Sequence, residues 1–234
     1  TLLTSGEGAT IDLSTTSNEF TGTLLITTND NDSPTDGTYA AHVTIDGGEI
    51  AALVIGTSTI DGDLTLINGH ASGITDAGGA TVTVNGDLSA TTDANNGDIN
   101  MGDLAVSGKI QIATKALGYN GAGNATVVNA TGLDFMSANV GGNFAATATN
   151  GAITCDVLTG CELVIGGTTD VYSKTDHNII LDNAANDFIG DVRFRGGAVV
   201  IKDANNIEFG GGDSTAKNTL ADLNGDEYAL KVYA

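Results

Sequence analysis

Apolar and polar residues alternate with period two through most of the chain. Ala41-His42-Val43-Thr44-Ile45, Ala80-Thr81-Val82-Thr83-Val84, Lys109-Ile110-Gln111-Ile112 and Ala198-Val199-Val200-Ile201 are examples. Successive side chains of an extended strand point to opposite faces, so this pattern predicts strands buried on one face. A 3.6-residue period is missing; only residues 215–223 (TAKNTLADL) suggest a helical turn or two. Turn pairs precede many strands: Gly62-Asp63-Leu64, Gly86-Asp87-Leu88, Gly102-Asp103-Leu104, Gly142-Asn143-Phe144 and Gly190-Asp191-Val192. Glycine accommodates positive φ, and Asp and Asn tolerate tight turns by bonding their own backbone. The steps fall at uneven intervals, which predicts insertions at corners. Residues 29–37 (NDNDSPTDG) and 117–132 (LGYNGAGNATVVNATG) read as two of them.

One motif occurs twice. Residues 9–27 (ATIDLSTTSNEFTGTLLIT) and 177–195 (HNIILDNAANDFIGDVRFR) align at a constant offset of 168. Ile11, Leu13, Asn18, Phe20, Gly22, Leu24 and Ile26 match Ile179, Leu181, Asn186, Phe188, Gly190, Val192 and Phe194. Self-similarity of this kind marks solenoids and repeat arrays, and 168 residues would hold eight units of 21. Phe20 and Phe188 read as core or end-of-rung packing. Asn18 and Asn186 read as corner residues whose amides bond turn backbone or stack between rungs. A ligand contact is the other reading of the two amides.

Short strands with Gly, Asn and Asp turns suit a β-helix or a sandwich. The rung-sized offset, the absence of Trp, and inward positions filled by small aliphatics favour an all-β, right-handed parallel β-helix. At 21–22 residues per rung the prediction is about ten irregular rungs and a rod on the order of 50 Å. The expected organisation is one elongated domain over 1–234, with 213–234 as a C-terminal cap or exchanged strand. Tandem β-sandwiches are the alternative.

Residues 178–212 (NIILDNAANDFIGDVRFRGGAVVIKDANNIEFGGG) carry an I-x-L-D-N-A-x-N-D-F-x-G-x-V run from Ile179 to Val192. An I-x-D-A-N-x-I-x-x-G run follows from Ile201 to Gly210. This segment resembles repeats of very large bacterial surface exoproteins, the filamentous-haemagglutinin-like adhesins. The resemblance is close over about 35 residues. It implies a right-handed parallel β-helix at the cell surface or in the extracellular matrix, and such repeats are scaffold, so no ligand comes with it.

Charge narrows the partners. With 29 acidic and 8 basic side chains the net charge is −21, which disfavours nucleic acid, since phosphate binding needs clustered cations. No apolar run approaches 18 residues, so no membrane-inserted helix is predicted. The chain begins at Thr1 and reads as a processed or excised segment. No cofactor is implied except Ca²⁺, a hard cation that suits oxygen donors. Asp30, Asp32 and Asp36 before Gly37, and Asp222, Asn224 and Asp226, have spacing loosely like a calcium loop, without the twelfth-position Glu. Cys155 and Cys161 lie six apart and could close a disulfide loop in an extracellular protein, or pack as free thiols.

Motifs of catalysis are missing: no HExxH, CxxC, G-x-S-x-G, P-loop or dinucleotide fingerprint occurs, and His42, His70 and His177 do not pair at metal-ligand spacing. Arg193 and Arg195 share the outward face of one strand. They could serve a polysaccharide lyase if an acidic cluster shared that face. Asn124-Ala125-Thr126 and Asn129-Ala130-Thr131 match the N-glycosylation pattern in a stretch expected to be exposed. The expected function is therefore structural and non-enzymatic: a subunit or segment of a bacterial cell-surface fibre, filament or layer. Strand-like ends, including Tyr228, Leu230 and Val232, suggest self-association end to end into homo-oligomers. An adhesin segment holding glycan or a cell-surface partner on its lateral face is the alternative.

Overall fold

The computed structural model describes residues 1–4, 8–15, 18–28, 41–93, 96–114, 121–155, 158, 160–174, 177–210, 219–220 and 230–233. The last two groups are described by backbone alone. Among these residues run twenty-four strands and no α-helix. Every strand pairing is parallel. The chain is a β-solenoid.

Two sheets hold the strands. The first runs β1 (Leu2–Leu3), β3 (Ile26–Thr27), β6 (Ser58–Ile60), β9 (Val82–Val84), β11 (Ile99–Val106), β13 (Ala125–Asn129), β15 (Phe144–Ala148), β18 (Thr169–Ser173), β21 (Val192–Gly196) and β23 (Thr219–Leu220). Beside it, β5 (Leu53–Ile55) and β8 (Ile74–Asp76) join at β11. The second runs β2 (Ile11–Leu13), β4 (Val43–Asp46), β7 (Leu64–Asn68), β10 (Leu88–Thr92), β12 (Ile110–Ala113) and β14 (Leu133–Val140). There it forks. One branch is β16 (Ile153–Cys155), β19 (Ile179–Leu181), β22 (Val199–Lys202) and β24 (Leu230–Tyr233). The other is β17 (Leu163–Ile165) and β20 (Asp187–Phe188). The two eight-residue strands, β11 and β14, are the junctions, and each carries a register shift.

The core consists of columns of side chains in register along the stack. One is Leu13, Ile45, Leu66, Ala90, Ile112, Ala138 and Leu163. All but Leu13 are almost wholly buried. Its successive members are 32, 21, 24, 22, 26 and 25 residues apart. One further step links Ile165 to Phe188. The solenoid therefore has about seven turns, fewer than the ten expected from a 21-residue period. The turns are longer because corners absorb insertions; the 32-residue step spans residues 29–37. At about 4.8 Å per turn, seven turns make a stack of about 34 Å. The 168-residue offset is not a whole number of turns on one column. Ile11 lies on a column through Phe135, whereas Ile179 lies on one through Leu133. Phe135 and Phe144 meet edge to face at 5.6 Å, and the small Ala125 lies in register beside Phe144.

Corners decide whether turns can stack. None of the glycines in the five Gly-Asp or Gly-Asn steps adopts positive φ. Three of them, Gly62, Gly86 and Gly142, take part in backbone ladders between turns. Gly86 N–H donates to Gly62 and Gly108 N–H to Gly86; farther along, Gly142 donates to Gly123 and Gly167 to Gly142. A Cβ on Gly108 would sit 2.4 Å from the Gly86 carbonyl oxygen, and one on Gly190 would sit 2.5 Å from that of Gly167. The adjoining Asp or Asn does not bond its own turn. Its side chain accepts the N–H one turn on: Asp63 from Asp87 (2.8 Å), Asp87 from Lys109 (2.7 Å), Asn124 from Asn143 (2.9 Å) and Asn143 from Thr168 (2.9 Å). His42 heads the first column, its Nδ1 accepting from Asp63 N–H at 3.0 Å.

Two other expectations change. Residues 117–132 are not one exposed insertion, because 125–129 form β13, a β-branched strand with alternate residues buried. Within 215–223, Thr219–Leu220 is strand β23, not helix, and the remainder lies outside the described residues.

Replacing Gly108 by Ala is expected to destabilise the fold by about 1–3 kcal/mol through overpacking against the turn below. Gly22→Ala, where nothing lies within 4 Å, should change stability by less than about 0.5 kcal/mol. Urea unfolding of the two variants checks the contrast.

Candidate functional site

The paired motif residues occupy equivalent local corners. Asn18 N–H donates to Thr15 O and its amide to Leu13 O at 2.8 Å. Asn186 N–H donates to Asn183 O and its amide to Leu181 O at 3.1 Å. Asn186 is wholly buried, and its Oδ1 accepts Leu163 N–H from the preceding turn at 2.9 Å. Phe188 is buried in the core, Phe20 is half-buried, and Gly22 is exposed with open space around it. Gly190 packs closely over Gly167, whose carbonyl oxygen a Cβ at position 190 would meet at 2.5 Å.

Asn129 is buried, contrary to the exposure that a glycosylation site requires. Its Oδ1 accepts Val106 N–H at 2.8 Å, and its Nδ2 donates to Val106 O at 3.0 Å and Gly132 O at 2.7 Å. The side-chain amide stands in for a strand peptide where β11 and β13 shift register. Asn124 is exposed, but its Oδ1 is engaged by Asn143.

Cys155 and Cys161 are disulfide-bonded and fully buried. They clamp the corner between β16 and β17. The calcium candidates Asp30, Asp32, Asp36, Asp222, Asn224 and Asp226 lie outside the described residues, as does Tyr228. Leu230 and Val232 lie on β24, in register with Val199 and Ile201 of β22. Among the described residues no group of three or more His, Cys, Asp or Glu could hold a metal ion. Arg193 is in register with Asp170, the one carboxylate paired with that strand among the described residues, and the Arg195 guanidinium lies 4.9 Å over the Tyr172 ring.

One carboxylate is perturbed. Partial burial raises the pKa of Asp76 above the value of an ordinary aspartate. The Asp103 charge adds to this, while the Asp103 and Gly102 N–H groups oppose it. Asp76 Oδ2 accepts Asp103 N–H at 2.6 Å, one more inter-turn bond of the corner type.

Among the described residues the surface carries a trough that the sequence reading does not single out. One part, about 290 Å³, is lined by Lys109, Asp134, Thr154, Ile180 and Asp182. An adjoining part of about 340 Å³ shares Asp134 and Thr154 and runs past Gly108, Gly132 and Gly151. Asp134, Thr154 and Ile180 are register partners on consecutive turns. Asp134 binds Lys109 Nζ at 3.2 Å and accepts the Thr154 hydroxyl at 3.0 Å. These residues come together only through stacking, so no local motif announces them.

Residues 122–195 match a family model described as repeats of unknown function (DUF5649), which makes this part of the chain similar to a repeat family. No curated protein and no solved structure matches the chain significantly.

Asn186→Ala should cost about 2–4 kcal/mol in urea unfolding, since it strands Leu163 N–H and Leu181 O in the core. Asp76 gives a pH signature. Its folded pKa exceeds its unfolded value, so its contribution to stability is greatest at low pH and is lost as pH rises through the folded pKa. Asp76→Asn should therefore be stabilising relative to the parent at pH 7, with the gain disappearing below the ordinary carboxylate range. Unfolding midpoints measured across pH check this.

Proposed function

We propose that the chain is a non-enzymatic structural segment of a bacterial cell-surface fibre, filament or layer, and that copies associate end to end. The observation that carries this reading is the direction of the hydrogen bonds. All strand pairings join one turn to the next, so the ladders run along the stack and can be extended by any further turn of the same geometry. At one end of the stack, among the described residues, β2 is bonded to β4 alone and β1 to β3 alone. The inward side chains there are incompletely covered: Leu2, Ile11, Leu13 and Phe20 are half-buried, whereas Ile45 and Leu66, the register successors of Leu13, are fully buried. A second copy's β23–β24 turn would supply parallel strands to that edge.

Other features support the setting. Buried disulfides suit an oxidising, extracellular environment. A charge of −21 keeps a stiff surface soluble. The resemblance of 178–212 to repeats of filamentous-haemagglutinin-like exoproteins agrees with a scaffold role at the cell surface. Arg193 faces Asp170 in register but no acidic cluster there among the described residues, so lyase chemistry has less behind it than architecture.

Negative-stain electron microscopy tests the reading. The full chain should form uniform filaments, and a variant lacking residues 226–234, and with them β24, should remain folded by circular dichroism yet stay monomeric. Filaments unchanged by this truncation would contradict end-to-end addition.

A further inference from the structure

We infer that the trough over β14, β16 and β19 is a binding site for an uncharged, hydroxyl-rich saccharide. The inference is independent of end-to-end assembly, because the trough lies on the side of the stack. Its shape comes from the corner glycines. Gly108, Gly132 and Gly151 border it, and Cβ atoms on them would fall within 2.3–2.8 Å of neighbouring turns. No side chain can therefore grow into the trough from those positions. At about 290 and 340 Å³, its two adjoining parts fall at the small end of the range of ligand clefts, about 300–1,000 Å³.

The lining has fixed donors and acceptors. Lys109 Nζ, Asp134 and Thr154 Oγ1 form one connected network, 3.2 and 3.0 Å apart, which holds the Asp134 carboxylate in place. The ammonium carries three N–H donors, and the carboxylates have lone pairs beyond those engaged. Asp182 is a second carboxylate of the lining, with no hydrogen-bond or ion-pair partner among the described residues. Ile180 presents an aliphatic surface between them. Hydroxyl groups can both donate to the two carboxylates and accept from Lys109, while the C–H face of a sugar ring can cover Ile180. Two carboxylates against one ammonium, on a chain of net charge −21, oppose an anionic ligand. Register sets the length: from Lys109 to Asp182 the lining spans four successive turns, about 14 Å, room for an oligosaccharide.

Saturation-transfer NMR on the full chain tests this with three probes, cellotriose, maltotriose and N,N′,N″-triacetylchitotriose. Transfer to at least one of them is expected, with weak affinity. Asp182→Ala should weaken it at least tenfold while leaving the unfolding midpoint unchanged, since Asp182 supports no neighbour. Lys109→Ala should weaken it as well. Absence of transfer to all three probes, or transfer that survives both substitutions, would overturn the assignment. Stronger transfer to trigalacturonate, an anionic probe, would also overturn it. Filament formation by Asp182→Ala, scored in parallel, keeps this outcome separate from that of the assembly reading.

Discussion

Everything in this fold depends on successive turns lying one strand spacing apart, about 4.8 Å, at the corners as well as along the strands. Strands meet that spacing through their own ladders. Corners have no such ladder by default, and any Cβ on the inner side of the bend collides with the turn below. The chain meets the constraint with two columns side by side. One is glycine, whose backbone continues the hydrogen bonding around the bend, as in Gly62, Gly86 and Gly108. The other is Asp or Asn, whose side chain accepts an N–H from the next turn, as in Asp63 and Asp87. Each corner thus templates the one above it.

This arrangement gives part of the acidic charge a structural purpose. Asp63, Asp76, Asp87 and Asp98 each accept a backbone N–H from the following turn. A carboxylate accepting an N–H makes a stronger bond than a neutral acceptor. The cost is the burial of carboxylates, which is the main cause of the raised pKa of Asp76, with the nearby Asp103 charge adding to it. Calcium is not required to explain why acids gather at these bends.

Strands and class were legible because period-two alternation translates directly into which face is buried; Leu64–Asn68 and Phe144–Ala148 show strict alternation of buried and half-exposed residues. Turn number was not legible, because the 168-residue offset joins similar corners on different columns. Asn18 and Asn186 repeat the same local bonds, yet Ile11 stacks on a column through Phe135 before the fork of the second sheet and Ile179 on one through Leu133 in a branch beyond it. The glycine steps were recognised, but their reason was misassigned to positive φ, since close approach between turns appears only once register is known. Asn129 misled for a related cause: a Gly- and Asn-rich neighbourhood looks like loop, while the ATVVN run inside it is strand. The trough was invisible for the most basic reason. Lys109, Asp134, Thr154, Ile180 and Asp182 are separated by 20 residues or more between turns and converge only after stacking.

The most direct test of this account is a distance along one column. Positions 67, 91, 113, 139, 164 and 187 are consecutive register partners, each on the outward face. Spin labels on Ile67→Cys and Asp187→Cys, with the native disulfide intact, should be five turns apart, giving a pulsed-EPR distribution centred near about 24 Å. A distribution centred beyond about 40 Å, as two tandem sandwiches would give, would contradict continuous turn-on-turn stacking.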